Sequence, residues 1–396
     1  MNTPFDGRKF DTLAVHAGAE PDAETGALAP PLHLSTTFVH APDGSLPHGL
    51  LYQRYDNPTQ QRLEDALTVL DGGARALFFA TGMAAGAAVL QSLPRGARVV
   101  MQEDIYHGYR ALAEEYLARW GVELAIVDTT RLDEVEAAFA SPTTLLWAES
   151  PSNPLMQVVD IAALSRLAHA AGAKLLVDGT FATPCLQQPL ALGADIVLHS
   201  TTKYLGGHSD VMGGALVFAA DDDLAARCHA TRRLLGASAS PFAAWLTLRG
   251  LRSLPARMRM HCANAEKVAT FLAAHPAVER VNFPGLPSHP DHALAQRQMR
   301  GRDAMYGGML SFQLRGGREA ALTAAGKLKL FVNATSLGGC ESLVEHRASV
   351  EGAHPSSPQN LLRLSVGLED AGDLIADLAQ ALDQGAADRA DSITLI

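Results

Sequence analysis

From about residue 60 onward, short apolar runs alternate with stretches of helical spacing. Residues 76–80, 98–101, 124–127, 144–148, 175–177 and 196–198 are each only a few residues long and apolar but for the opening Arg98 and Thr144. That is the pattern of strands buried on both faces. Between them, 62–67, 84–93 and 161–170 carry apolar residues at helical spacing. Such alternation predicts an α/β architecture: a mainly parallel sheet covered by helices on both faces, with ligands at the carboxyl ends of the strands. Residues 1–55 are rich in Pro, Gly, Thr and His without a period, and predict an extended N-terminal arm. After Pro241 the pattern changes. It predicts a long helix near 243–259 continuing through 263–274, strands at 309–314 and 361–366, and a closing helix at 373–382. The expected organisation is an arm over 1–55, a large domain over 56–245 and a smaller α+β C-terminal domain over 246–396.

Composition narrows the possibilities. With 396 residues the chain can bury a large core, and 47% of its residues are hydrophobic. Its 32 basic and 42 acidic residues leave a net charge of −10, which argues against nucleic acid or an anionic membrane as partner, since both need a basic face. The N-terminus has no apolar signal core, and no segment reaches the length of a membrane span. Cys185, Cys228, Cys262 and Cys340 are scattered and form no metal-like pair. A cytoplasmic protein with buried thiols and no metal is the expectation.

The chemistry concentrates at three strand ends. Residues 174–177 lead into Asp178, and 194–198 lead into His199-Ser200-Thr201-Thr202-Lys203-Tyr204. A strand delivering an Asp and a later one delivering a Lys suit pyridoxal 5'-phosphate (PLP). The lysine holds the cofactor aldehyde as a Schiff base, and the carboxylate keeps the pyridine nitrogen protonated. Thr81-Gly82-Met83 falls between a strand and a helix, where free backbone amides and the helix dipole can cradle a phosphate. Ser200 and Thr202 offer hydroxyls to the same phosphate or close a turn.

The wording of these segments resembles the Cys/Met-metabolism family of PLP-dependent enzymes, which includes cystathionine synthases and lyases, methionine γ-lyase and homoserine sulfhydrylases. The likeness runs through residues 52–59 (Tyr-Gln-Arg-Tyr-Asp-Asn-Pro-Thr), 81–85, 149–154, 199–210, 336–343 and 363–370, in order along nearly the whole chain. It implies a fold-type-I PLP-dependent transferase with Lys203 as the Schiff-base lysine. By the same resemblance Gly82, Met83, Ser200 and Thr202 hold the phosphate, and Tyr52 and Arg54 reach it from a neighbouring subunit. Tyr106 stacks on the pyridine ring and assists the leaving group, and Asp178 pairs with the ring nitrogen. Arg363 binds the substrate α-carboxylate with Asn153 and the backbone at Ser336. A homo-oligomer, usually a dimer of dimers, follows from the shared site.

The chain departs from the family wording in places. Gly179 replaces the usual Asn after the aspartate, and the loop from Tyr106 is one residue shorter. Thr335 stands where cystathionine-handling members commonly carry Glu. Residues 346–352 replace a common Met-Thr-His ending, so Arg347 or Glu351 shapes an unusual side-chain pocket or is simply charge on an exposed loop. The resemblance implies a PLP-dependent C–S lyase of sulfur amino-acid metabolism, acting on cystathionine, homocysteine, cysteine or methionine. A γ-replacement transferase joining an activated homoserine to cysteine or sulfide is the alternative. A binding protein without turnover would be expected to lack Lys203, Asp178 or Arg363, and all three are present.

Overall fold

The computed structural model describes residues 7–299, 303, 305–351 and 357–393. The chain divides into two compact units, Met1–Glu149 with Asp160–Pro255 and Ser150–Val159 with Ala256–Ile396.

The first unit is built on a seven-stranded sheet. Its strands are β1 (Arg75–Phe79), β2 (Arg98–Gln102), β3 (Glu123–Val127), β4 (Leu145–Glu149), β5 (Lys174–Asp178), β6 (Ile196–His199) and β7 (Gly214–Phe218). They lie in the order β1-β7-β6-β5-β4-β2-β3. All neighbours are parallel except β7, which runs antiparallel between β1 and β6. Trp147, Phe78, Phe79 and Phe218 fill the core with Leu63, Leu67 and Leu70 of the helix Pro58–Asp71. That helix starts where Asn57 accepts a hydrogen bond from the Thr59 amide and Pro58 sets the first turn, and it stops at Gly72, which takes a left-handed φ of 69°. Arg232 is buried beside β1; it donates to the Phe78 carbonyl oxygen at 2.9 Å and pairs with Glu64.

Strand β7 is a further short apolar run, Ala215-Leu216-Val217-Phe218, beyond the six read above. The long helix expected over 243–274 is two helices, Pro241–Leu251 and Leu254–Ala274. Pro255 is the physical reason: without an amide hydrogen it fits only the first turn of a helix, so a new helix begins beside it. The arm is mostly irregular but includes a short helix, Phe10–His16, and pairs with itself at Thr37 and Tyr52.

The second unit carries a five-stranded sheet of β8 (Val278–Asn282), β9 (Met309–Leu314), β10 (Val332–Asn333), β11 (Leu343–His346) and β12 (Leu361–Ser365). The order is β10-β11-β12-β9-β8, antiparallel except at β10/β11. The helices Gly317–Lys327 and Ala371–Ile393 pack against each other. Segment Ser150–Val159 belongs here: the Ser311 hydroxyl donates to the Pro154 carbonyl oxygen at 2.8 Å, and the Val158 amide donates to Asp291 at 3.0 Å.

Candidate active site

In the first unit, parallel pairing brings three strand ends level. Glu149 of β4 sits opposite Asp178 of β5, and Asp178 sits opposite Leu198 of β6. Asp178 is buried, and its Oδ1 accepts from the Thr180 amide at 2.9 Å. Burial pushes its pKa upward, against the hydrogen bonds from Thr180 and the nearby His199. Thr180 also accepts from the Ser200 amide at 2.9 Å, so one residue ties the Asp178 strand to the Ser200 turn. His199 is buried and bonds Asp71 at 3.0 Å. Its pKa is raised: burial alone would lower it, but the charge and hydrogen bond of Asp71 outweigh that. Gly179 leaves room for this imidazole, since a Cβ there would lie 3.1 Å from His199 Cε1.

The turn before the helix Gly82–Gln91 is capped by Thr81, whose hydroxyl accepts from the Ala84 amide at 2.9 Å. The amides of Gly82 and Met83, in the first turn, have no acceptor within the helix. A Cβ on Gly82 would approach Ser200 Oγ to 3.1 Å, so the missing side chain keeps turn and hydroxyl together. Tyr109 donates from its hydroxyl to the Gly82 carbonyl oxygen at 2.8 Å and holds the turn from behind. The Tyr106 amide donates to Glu149 Oε2 at 2.7 Å, and its half-buried ring meets Tyr109 edge-on at 5.6 Å.

Lys203 follows β6 in a turn, with its amide on the Ser200 carbonyl oxygen at 3.1 Å and its carbonyl accepting from Gly207. Thr202 Oγ1 accepts from the Gly213 amide at 3.0 Å. Tyr52 is 43% exposed, and Arg54 is exposed with Nη1 donating to the Arg233 carbonyl oxygen at 2.8 Å.

In the second unit, Arg363 of β12 is buried. It donates from Nη1 to Asn153 Oδ1 at 3.1 Å and from Nη2 to the Ser336 carbonyl oxygen at 3.1 Å. Ser336 has a φ of 88°, a strained backbone for a residue other than glycine. The peptide bonds Ser150-Pro151 and Asn153-Pro154 are cis. Arg347 and Glu351 are not charges on an exposed loop: their side chains are 4% and 7% exposed and lie 3.3 Å apart, with Arg347 also bonding Glu345 at 3.2 Å. Burial of this kind needs paired charges, and the cluster provides them.

Within the first unit, then, Asp178, Ser200, Gly82, Met83, Tyr106 and Lys203 lie at or just past the carboxyl ends of β1, β2, β5 and β6, all at one end of the sheet, while Tyr52 and Arg54 are exposed. Sequence reasoning missed Thr180, Tyr109, Glu149, the His199–Asp71 pair and Glu345. Only Thr180 carried a signal, a hydroxyl residue two positions after the key aspartate. Among the described residues no cluster of His, Cys, Asp and Glu could hold a metal ion.

The donor set fits PLP: two helix-start amides and a serine for the phosphate, a buried carboxylate for the pyridinium nitrogen, and a half-buried amine for the aldehyde. An α/β sheet presenting these groups at its strand ends is that of a fold-type-I PLP-dependent enzyme. The chain belongs to the Cys/Met metabolism PLP-dependent enzyme family, whose sequence profile matches residues 11–383. It is 48% identical over 377 residues to a cystathionine gamma-synthase of Mycobacterium tuberculosis, covering 94% of this chain and 96% of that one. A cystathionine gamma-lyase of Dictyostelium discoideum is 42% identical, covering 95% and 98%. The structure of a cystathionine gamma synthase from Xanthomonas oryzae pv. oryzae, in complex with aminoacrylate and cysteine, superposes with a TM-score of 0.91 at 41% identity, covering 96% and 99%. The protein is a PLP-dependent carbon–sulfur lyase or transferase of transsulfuration.

Proposed function

We propose that this enzyme catalyses γ-replacement, joining an activated homoserine ester to L-cysteine to form cystathionine. The observation that carries this reading over simple C–S cleavage is the grading of identity, 48% to the mycobacterial synthase against 42% to the Dictyostelium lyase.

Bound PLP supplies an electron sink that stabilises negative charge at the substrate's α and β carbons. Gly82, Met83, Ser200 and Thr202 would hold its phosphate, and Tyr52 and Arg54 of a second copy of this chain would complete that grip. The exposure of both side chains supports the sharing. Asp178 would keep the ring nitrogen of bound PLP protonated, and the Tyr106 ring would stack on the pyridine. Lys203 Nζ anchors the cofactor at rest. With the cofactor bound, Lys203 Nζ would take the substrate's α-proton and return it at later steps, the task of a positioned amine. The Tyr106 hydroxyl assists the group that departs from the γ-carbon. Arg363 holds the substrate α-carboxylate, aided by Asn153 and the Ser336 backbone, because a guanidinium fork matches a carboxylate's two oxygens.

The working form is a homo-oligomer, a dimer of dimers, in the cytoplasm. Exposed Val39, Leu234 and Leu235 support a covered face. Among the described residues no helix is long and apolar enough to cross a membrane, and the four cysteines form no disulfide.

The test is to incubate the PLP-loaded protein with O-succinyl- or O-acetyl-L-homoserine and L-cysteine, and separately with L-cystathionine. Cystathionine forming faster than keto acid appears is the expected result. Release of pyruvate or 2-oxobutyrate from cystathionine, with no cystathionine made from the esters, would make the enzyme a lyase.

A further inference from the structure

Glu345 lies directly opposite Arg363 in the antiparallel pairing of β11 and β12. Both are buried, and Arg363 Nη2 meets Glu345 Oε2 at 2.8 Å. The same carboxylate oxygen meets Arg347 Nη1 at 3.2 Å, where the chain leaves β11 for the turn Arg347–Ser349. Arg347 Nε continues to Glu351 Oε1 at 3.3 Å, and Glu351 is fixed by the Ser357 amide at 3.0 Å and by the Ser357 hydroxyl. Charge therefore alternates along one buried line: Arg363, Glu345, Arg347, Glu351.

This order bears on ligand binding. An anion arriving at Arg363 comes close to the carboxylate of Glu345, and two carboxylates sharing a single buried cation repel. A second guanidinium on the far side of Glu345 removes that conflict. Arg347 occupies that place.

We propose that Arg347 is a positioning residue for substrate binding: by taking up the charge of Glu345, it leaves Arg363 able to accept the α-carboxylate of an amino acid. The inference rests on the reading of Arg363 as the carboxylate site. The competing account is a structural cluster that only ties the turn to the sheet, and buried ion pairs of that kind are often replaceable.

The two accounts part on a double variant. The readout is the dissociation constant of glycine, an amino acid without a leaving group, followed through the change in cofactor absorption of the PLP-loaded protein. The dissociation constant of PLP is measured beside it. Arg347→Gln should weaken glycine binding about tenfold or more while PLP affinity stays within about twofold, as expected when one partner of a buried charge pair is truncated. Arg347→Lys should fall between. Glu345→Gln combined with Arg347→Gln should bind glycine far better than Arg347→Gln alone, because the repelling carboxylate has gone with its counter-charge. Should Arg347→Gln fail to fold, the double variant measured against wild type still decides. Unchanged glycine binding in Arg347→Gln, or a double variant that binds glycine as weakly as Arg347→Gln or about tenfold more weakly than wild type, would overturn the proposal. Arg363→Gln separates the two levels: if it retains glycine binding, the carboxylate reading itself fails, and if it loses glycine while the Arg347 variants do not, only the role of Arg347 falls.

Discussion

Asp178 must be a carboxylate where burial disfavours charge. Its folded-state pKa lies above the unfolded value, with burial as the largest cause. The ionised form is thus less favourable folded than unfolded, and its contribution to stability falls as pH rises above about 4. Near neutrality the cofactor-free protein carries that penalty, which a pyridinium proton would relieve in the proposed site. Asp178→Asn should therefore raise the melting temperature of the cofactor-free protein at pH 7, by about one degree for each 1 kcal/mol relieved in a chain of this length, while weakening PLP. Calorimetry and a PLP titration would check both arms; a variant that melts lower than wild type and still binds PLP normally would contradict the assignment. Asp178, Lys203 and Arg363 were legible because each sits in a distinctive run of neighbours. Glu345 was not, since its partnership with Arg363 exists only through the pairing of β11 with β12, and a four-residue strand such as Leu343–His346 has no period to betray it.

Among elements, the β5–β6 pair and the Thr81–Gly82 turn position most of the cofactor-side groups. His199, the last residue of β6, keeps a raised pKa because Asp71 outweighs the effect of burial. A raised folded-state pKa contributes stability that is fully present below about pH 6.5 and is lost as pH climbs through the folded value. His199→Gln should therefore lower the melting temperature more at pH 6 than at pH 9.5, and a pH-independent difference would show that the pair acts by packing alone. The turn is equally exacting. A Cβ on Gly214, the first residue of β7, would collide with the Thr81 carbonyl oxygen and lie 2.6 Å from the Gly82 nitrogen. Gly214→Ala should destabilise the protein by about 1–3 kcal/mol through overpacking and loosen phosphate binding, both measurable by denaturant titration with and without PLP. The parallel strands were readable from their apolar runs. The break at Arg252 and Ser253 was hidden, because the effect of Pro255 depends on where a helix starts.

At the scale of the whole molecule, the proposed sharing of Tyr52 and Arg54 between copies has a direct test. Lys203→Ala and Arg54→Ala should each be inactive or nearly so. Unfolded, mixed in equal amounts and refolded together, they should regain about a quarter of wild-type activity, because half the dimers are mixed and each mixed dimer has one intact site. No recovery, with mixed oligomers verified by mass, would place both residues in the service of their own chain. The order of motifs along the sequence revealed the fold class, whereas the place of residues 150–159 in the second unit could not be read from it. Ser150–Val159 follows directly on β4, and nothing in its composition marks it as belonging with residues that begin only at Ala256.

That segment sets a rule for recombination. A chimaera that exchanges everything after Pro255 with a relative inherits Arg363, Glu345 and Arg347 from one parent and Asn153, which bonds Arg363 at 3.1 Å, from the other. A fragment starting at Ala256 would likewise lack Pro154, the acceptor for Ser311 of β9. The second unit is one body written in two places in the chain, so its parts are inherited intact only when residues 150–159 travel with the C-terminal piece.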